Sequence, residues 1–431
     1  MERKINADDI VVPPGYIIEP AYTQVNVPTA VAFSEDGTVF LTDAGMTDGN
    51  GKVLVLRDGK FDILAQGFKP PLVGITYHGR RLYIAHRGRV TVMKPSGQRE
   101  DIVTGLPSFG DHENNPIVVG PDGKLYFGQG TATNSGIVGP DNRWLADNPY
   151  FHDHAGATIQ LTGLNFASKN ILTPASDEIV ETGAFVPYGV ATAKGQWVPG
   201  VVRASGSILR VNKDGSELEQ VAWGLRNPFG LQFDPTGRLW TINNGMDERG
   251  SRPVANCPDE FHEILPGTWY GWPDYAAGEP VTQPWFESDG FKPSFLFAGH
   301  PMIPPRPFAC FAPHTAAAGF VFSHSHHFGH VGDAFIAELG SEAPATTGGK
   351  PAPKVGHRVS RLQMRDGELH AFAQNRSQLP ASRDGGGGLE RPMNVCFGPD
   401  NTLYIIDIGI LRVGRGFEKH TGVVWRMRRR S

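Results

Sequence analysis

The feature that most limits the fold is a short phrase that recurs six times. Residues 31–45 read VAFSEDGTVFLTDAG, 75–88 ITYHGRRLYIAHRG, 117–130 IVVGPDGKLYFGQG and 231–245 LQFDPTGRLWTINNG. Residues 320–340 repeat it with a longer turn, FVFSHSHHFGHVGDAFIAELG, and 395–409 read VCFGPDNTLYIIDIG. Each copy is an apolar strand, a turn of Gly, Asp or Asn, a second apolar strand and a Gly. These turn residues tolerate the positive φ that tight antiparallel connections demand. Further strand pairs follow at 52–65, 89–103, 207–223 and 358–373, so the unit is four antiparallel strands. The first three copies start 44 and 42 residues apart, close to the ~40–45 residues of a propeller blade. The expected fold is all-β: a six-bladed β-propeller with four antiparallel strands per blade, formed as a single domain over 1–431. An eight-stranded sandwich is the rival, and it predicts no such repeat. The last copy lacks a fourth strand. GYIIEPAY (15–22) is expected to supply it, so that the N-terminal strand closes the last blade.

Composition agrees. The 431 residues hold 54 Gly and 35 Pro with no Gly-x-y period, which means many turns. A net charge of −4 gives no reason to expect nucleic acid or an anionic membrane as partner. The basic end, RMRRR (426–430), reads as a short solvated tail. Cys257, Cys310 and Cys396 stand far apart without a CxxC, which excludes a disulfide framework and a cysteine-rich zinc site; one Cys257–Cys310 bridge stays open. No stretch approaches the ~20 apolar residues of a membrane span, and Met1 begins no signal peptide.

Two spacings exceed the blade repeat, at 131–206 and 246–319, and loops of this length in a compact domain are usually functional. The a–b turns (EDG, PDG, PTG, PDN) share one face. The loops before strand a and after strand b share the other, and both insertions are expected to cover that second face. There, His112 in GDHENNP stands eight residues before Gly120, and Arg226 in GLRNPFG stands eight before Asp234. Matching loop positions place both at the channel mouth. Asn26, His314, Glu390 and Arg391 are near-equivalent. The ends of strand b add Asp43, His86, Gln129, Asn244, Glu338 and Asp407, completing a polar ring. The plain reading of any one of them is that it satisfies loop backbone or channel water.

GLRNPFGLQFDPTGRLW and PDEFHEILPGTWYGWPDY (258–275) resemble the glucose/sorbosone dehydrogenase family. GDHENNPIVVGPDGKLYFGQGTATNSGIVG, PPGYIIEPAY and GDAFIAELGS are similar to its sorbosone-type branch. The resemblance implies a six-bladed propeller that oxidises aldoses with pyrroloquinoline quinone and calcium. It implies His112 as catalytic base, Arg226 as a catalytic and cofactor contact, Asn227, Gln129, Asn244 and Arg391 as further cofactor contacts, and the carbonyls of Gly245 and Met246 as calcium ligands. A sugar substrate, an external electron acceptor such as a cytochrome or dye, and a periplasmic or extracellular location follow from the same resemblance. The chain departs from the family pattern in four places, one of them LGSEAP (339–344) where the sorbosone-type branch has His-Gly-Ser-Trp-Asn-Arg. Glu113, Asn114 and Asn115 follow the base where small residues are usual, Met393 replaces a second arginine, and Lys350 and Lys354 are the only candidates for the quinone-binding lysine.

Rival readings remain. His324, His326, His327 and His330 form a run that reads as solvated on the opposite face, and a His152/His154/His112 metal site rests on no spacing rule. A calcium- or other metal-dependent, lactonase-like hydrolase, or a lyase, that does not use the quinone would take Asn26, Asn244, Glu338 and Asp407 as oxygen ligands, with His112 or His314 as base. A carbohydrate-binding propeller without catalysis is the third.

Overall fold

The computed structural model describes residues 3–412 and 414–430. Six antiparallel blade sheets, five of four strands and one of five, stand around a central axis, and the described residues hold one α-helix, the four-residue Ala381–Asp384. Blade 1 is built from Pro28–Phe33, Val39–Asp43, Gly51–Arg57 and Lys60–Phe68. Blade 2 uses Leu72–His78, Arg81–His86, Arg89–Met93 and Arg99–Val103. Blade 3 uses Asn114–Val119, Leu125–Gln129, Ser207–Val211 and Glu219–Trp223. Blade 4 uses Asn227–Phe233, Leu239–Asn244, Glu260–Glu263 and the short Ala309–Cys310. Blade 5 uses Ala317–Phe322, Ala334–Glu338, Arg358–Leu362 and Leu369–Asn375. Blade 6 takes Pro392–Phe397, Leu403–Asp407 and Gly422–Arg429 from the C-terminus and Tyr16–Val25 from the N-terminus.

The closing strand is therefore the one expected, and it pairs antiparallel with the last strand from Tyr16↔Arg429 to Val25↔Gly422. That pairing corrects the solvated-tail reading of RMRRR. Arg426 bonds Glu19, Met427 is buried and Arg429 lies over the Tyr16 ring. One strand was not foreseen: Ile10–Val11 adds a fifth strand to the outer edge of blade 5.

Strand periodicity explains the core. Successive side chains point to opposite faces of a sheet, so each blade feeds two interblade layers. In blade 2, Leu82 and Ile84 pack toward blade 1, whereas Tyr83 and Ala85 pack toward blade 3. Six such layers fill the six interfaces, and each fully buried large side chain contributes on the order of 1.5–3 kcal/mol. First strands touch their neighbours all the way round, blade 6 to blade 1 included. The crowding is close enough that a Cβ on Gly230 would lie 2.4 Å from the Ala318 carbonyl oxygen.

The insertions only partly follow expectation. Residues 130–206 leave blade 3 after its second strand and carry two small hairpins, 159–160 with 197–198 and 165–169 with 179–183. The second insertion is divided: 260–263 return as the third strand of blade 4 and 309–310 as its fourth. The segment between them packs its Trp269, Trp272, Phe286 and Phe297 against Ile137, Ile159 and Phe185 of the first insertion. All three cysteines are free, which closes the Cys257–Cys310 question.

Candidate functional site

A cavity of about 1070 Å³ opens at the mouth where loops precede strand a and follow strand b. His112, Arg226, Asn227, Asn244, Gly245 and Met246 all line it, as do Asp247, Arg249, His314 and Met393. Trp144 of the first insertion and Arg412 of blade 6 form parts of its rim.

His112 is held by its own backbone and by its ring. Its N–H donates to the Thr131 carbonyl at 3.2 Å, and Nδ1 lies 3.0 Å from the same oxygen. A carbonyl only accepts, so Nδ1 carries the proton and the Nε2 lone pair is left without a protein partner among the described residues. Burial drives the imidazole pKa down to about 3, with Arg226 adding to the effect and the Asp111 carboxylate opposing it. A neutral imidazole with a fixed tautomer is the state a general base needs. Gly130 makes this placement sterically possible, since a Cβ there would lie 2.3 Å from the His112 Cβ and 2.8 Å from Asn227 Oδ1.

Thr131 also joins the two principal residues, because its N–H donates to the Arg226 carbonyl at 2.9 Å. The Arg226 guanidinium is nearly buried. Nε donates to the Asn134 carbonyl at 3.2 Å, and Nη2 donates to Asn134 Oδ1 at 3.1 Å and Asp247 Oδ2 at 2.8 Å. Nη1 has no protein partner among the described residues. Burial alone would push the Asp247 carboxyl up, but Arg226, His314 and Arg249 hold it well below the usual carboxylate range. His314 sits 3.5 Å from Asp247 Oδ1, and that hydrogen-bonded contact raises its pKa against the opposing effect of burial.

Arg249 ties the wall together. It bonds Asp111 Oδ2 at 2.6 Å and Asp141 Oδ2 at 2.5 Å, and stands 3.5 Å from Asp247. One cation thus connects the residue beside His112, the first insertion and the partner of Arg226. Repeat register missed Asp247, Arg249 and Asn134 because they lie in insertions. The available signal was adjacency, since GMDERG follows directly on the strand that ends at Asn244.

The two asparagines of Glu113-Asn114-Asn115 do not obstruct the cavity. Asn114 Oδ1 accepts from Gly88 N–H and Ser108 Oγ, while its Nδ2 donates to the Arg89 carbonyl. Asn115 donates to Asn227 Oδ1 and the Pro228 carbonyl, both at 3.0 Å. From there a relay runs on, Asn227 Nδ2 to Asn244 Oδ1 at 3.0 Å and Asn244 Nδ2 to the Ala317 carbonyl at 2.7 Å, bracing three blades at the mouth. Glu113 is different: burial raises its carboxyl to about 7, with Arg87 opposing.

Several expected site residues lie elsewhere. Gln129 is fully buried and donates to the Pro107 and Gly130 carbonyls, so it does not face the cavity. Arg391 is buried too, its guanidinium spent on the carbonyls of Gly340 and Ser341, at 3.2 Å each. The rest of the polar ring satisfies structure. Asn26 bonds Asp43, His86 bonds Thr91, and Glu338 is held by Arg358 and Ser360. Asp407 accepts from Arg3 and from the Glu390 and Arg391 N–H groups, and Glu390 accepts from Ser382. The oxygen-ligand set of a hydrolase is therefore not assembled. Lys350 is ion-paired with Glu248 outside the cavity.

Among the described residues, no group of three or more His, Cys, Asp or Glu side chains is arranged to hold a metal. His152 and His154 stack on one another with ring centres 4.9 Å apart, and His330 packs on Tyr16 beside Arg361. Calcium at Gly245 and Met246 would thus depend on backbone carbonyls and on oxygens of a bound cofactor. Asp259, another carboxylate lining the cavity, already accepts from the Gly245 and Ala317 N–H groups at 2.9 and 2.8 Å.

Comparison with known proteins agrees with the resemblance read from the sequence. The family model described as glucose/sorbosone dehydrogenase matches residues 201–406. Quinoprotein glucose dehydrogenase B of Acinetobacter calcoaceticus is 27% identical over 207 residues, covering 46% of this chain and 32% of that protein. The chain thus spans about a third of that relative's length. Among solved structures, the PQQ-bound aldose sugar dehydrogenase of Streptomyces coelicolor superposes with a TM-score of 0.54 at 18% identity, over 97% of this chain and 99% of that one. The holo PQQ domain of Coprinopsis cinerea pyranose dehydrogenase gives 0.59 at 14% identity, over 100% and 98%. A calcium structure of a Trichoderma reesei carbohydrate-active enzyme of family AA12 gives 0.58 at 16%, over 100% and 99%. At these identities the likeness is one of fold. No helix among the described residues is long and apolar enough to cross a membrane.

Proposed function

Since the chain carries the glucose/sorbosone dehydrogenase signature over residues 201–406, we propose that it is a quinone-dependent sugar dehydrogenase whose chemistry takes place between His112 and Arg226. The observation that carries this reading is that His112 Nε2 and Arg226 Nη1, neither with a protein partner among the described residues, belong to side chains lining one cavity. Bound in that cavity, pyrroloquinoline quinone with calcium would supply a two-electron acceptor for the substrate.

The donor set fits the reactive end of such a group. Arg226 and the second amide hydrogens of Asn227 and Asn244 offer positive edges to quinone oxygens, and Gly245 and Met246 offer carbonyls to the metal. The carboxylate end finds fewer free cations. Arg249 is matched by three carboxylates, Arg391 is withdrawn, Arg412 pairs with Glu418 at 2.6 Å, and His314 faces Asp247 at 3.5 Å. His112 Nε2 takes the proton of the substrate hydroxyl as its carbon is oxidised, while the Nδ1–H bond to Thr131 keeps the ring oriented as it becomes cationic. Arg226 holds positive charge where the oxidised product and the reduced acceptor concentrate negative charge. The substrate is an aldose or related sugar alcohol or aldehyde, electrons pass on to an external carrier such as a cytochrome or dye, and the setting is periplasmic or extracellular.

Reconstitution tests this. Soaking the purified chain with pyrroloquinoline quinone and Ca²⁺ should give a bound-quinone absorption band and aldose-dependent dye reduction. Lactone hydrolysis without quinone, or a folded protein that binds sugar and turns nothing over, would replace the reading with a hydrolase or a binding propeller.

A further inference from the structure

The wall next to His112 is aromatic, and the chemistry above makes no use of it. Trp144 of the first insertion lines the cavity, and its Nε1 donates to Asp111 Oδ1 at 2.9 Å, one residue from His112. Phe151 meets the Trp144 ring at 5.5 Å and 78°, and Phe109 meets Phe151 at 6.0 Å and 86°. The cluster is only partly covered: Phe109 is 37% exposed, and Tyr150 next to it in sequence from Phe151 is 83% exposed. Arg143 is exposed at the same rim and makes no ion pair among the described residues. Asp141, held by Arg249, adds a carboxylate beside it.

An aromatic ring held rigidly by a hydrogen bond through its edge costs little entropy when a ligand stacks on it. Flanked by a free guanidinium and a carboxylate, it matches one class of ligand well. A pyranose presents an apolar C–H face to the ring and hydroxyls at its edge to charged partners. Partly exposed aromatic side chains continuous with a polar cavity mark a binding surface.

We propose that Trp144 and Arg143, backed by Phe151 and Phe109, form a second sugar-binding position adjoining His112, so that the preferred substrate is an oligosaccharide rather than a free monosaccharide. The terminal ring to be oxidised lies at His112 and the next ring lies on Trp144. This deepens the reading above and rests on it only for the identity of the terminal ring, because binding to the ledge needs no quinone.

The test is calorimetric titration of the full chain, without cofactor, using glucose, maltose, maltotriose and cellotriose. At least one trisaccharide should bind ten-fold or more tightly than glucose. Trp144→Ala should remove that preference and leave glucose binding within two-fold, Trp144→Phe should restore part of it, and Arg143→Ala should reduce it about three-fold. Trp285→Ala, at an exposed tryptophan outside the cavity, should change nothing. Should Trp144→Ala fail to fold, Trp144→Phe and Arg143→Ala decide the matter. Equal affinity for mono- and trisaccharides in the unmodified chain would overturn the proposal, as would a preference of undiminished size in Trp144→Phe and in Arg143→Ala, or binding of an aromatic dye at the ledge with no binding of oligosaccharides. Trisaccharide binding without dye reduction in the quinone-loaded protein would keep the ledge and reject the dehydrogenase.

Discussion

Arg226 and Arg391 begin alike and end differently. Each stands in the loop leading into the first strand of its blade, and each takes the same backbone support. The Arg226 N–H donates to Asn243 Oδ1 and the Arg391 N–H donates to Asp407 Oδ1, both at 2.9 Å. Both side chains are almost buried. Arg226 then meets Asn134 and Asp247 from two insertions and keeps one edge at the cavity, whereas Arg391 turns under the 339–341 loop and fills its carbonyls. Repeat position sets where the backbone runs. The neighbouring loop, which does not repeat, sets what the side chain does.

Substitution should separate the two. Arg226→Ala leaves a buried carboxylate short of a cation, and should lower stability by about 3 kcal/mol and weaken quinone binding at least ten-fold, read by spectral titration. Arg391→Ala should also destabilise, by about 1–3 kcal/mol as buried carbonyls lose their donors, but with quinone affinity unchanged within two-fold. An affinity loss there equal to that of Arg226→Ala would erase the distinction. Gly130→Ala forces a methyl group against His112 and should cost about 1–2 kcal/mol, with turnover falling roughly ten-fold while quinone affinity holds.

A pH-dependent effect concerns Glu113, and its sign follows from linkage. Its folded pKa of about 7 lies above the ordinary value, so the folded state keeps a proton that the unfolded chain releases between about pH 4.5 and 7. Its stabilising contribution is complete below the unfolded pKa and is lost as pH rises through 7. Glu113→Gln should therefore be more stable than the parent at pH 8 and nearly equal to it at pH 4.5, as thermal melts at both values would report. A parent with no excess loss of stability between them would remove the buried-carboxyl account.

The ring of blades was legible because its instructions are local: six turns with Gly or Asn at positive φ, among them Gly37, Gly123, Gly237 and Asn401, and strands of period two. The closing strand was legible because one blade came up a strand short. Ile10–Val11 was not, since two residues carry no periodic signal. His112 was found at the cavity because its loop position repeats. Gln129 and Arg391 were misplaced because a side chain's direction is decided by whichever carbonyl the adjacent blade leaves unpaired, and that is a long-range fact. Asp247 and Arg249 were passed over for the same reason: they act by linking Asp111, Asp141 and Arg226, which lie far apart in sequence.

The central claim is that His112 takes the substrate proton in a cavity that holds quinone. Its most direct measurement is the rate at which an aldose reduces bound pyrroloquinoline quinone in the calcium-loaded parent and in His112→Ala, followed by stopped-flow absorbance. The expected result is equal quinone affinity, a melting temperature nearly unchanged, and reduction slower by about 10²–10⁴-fold in the variant, the range a positioned general base supplies. Reduction at the parent rate in a folded, quinone-loaded His112→Ala protein would contradict it.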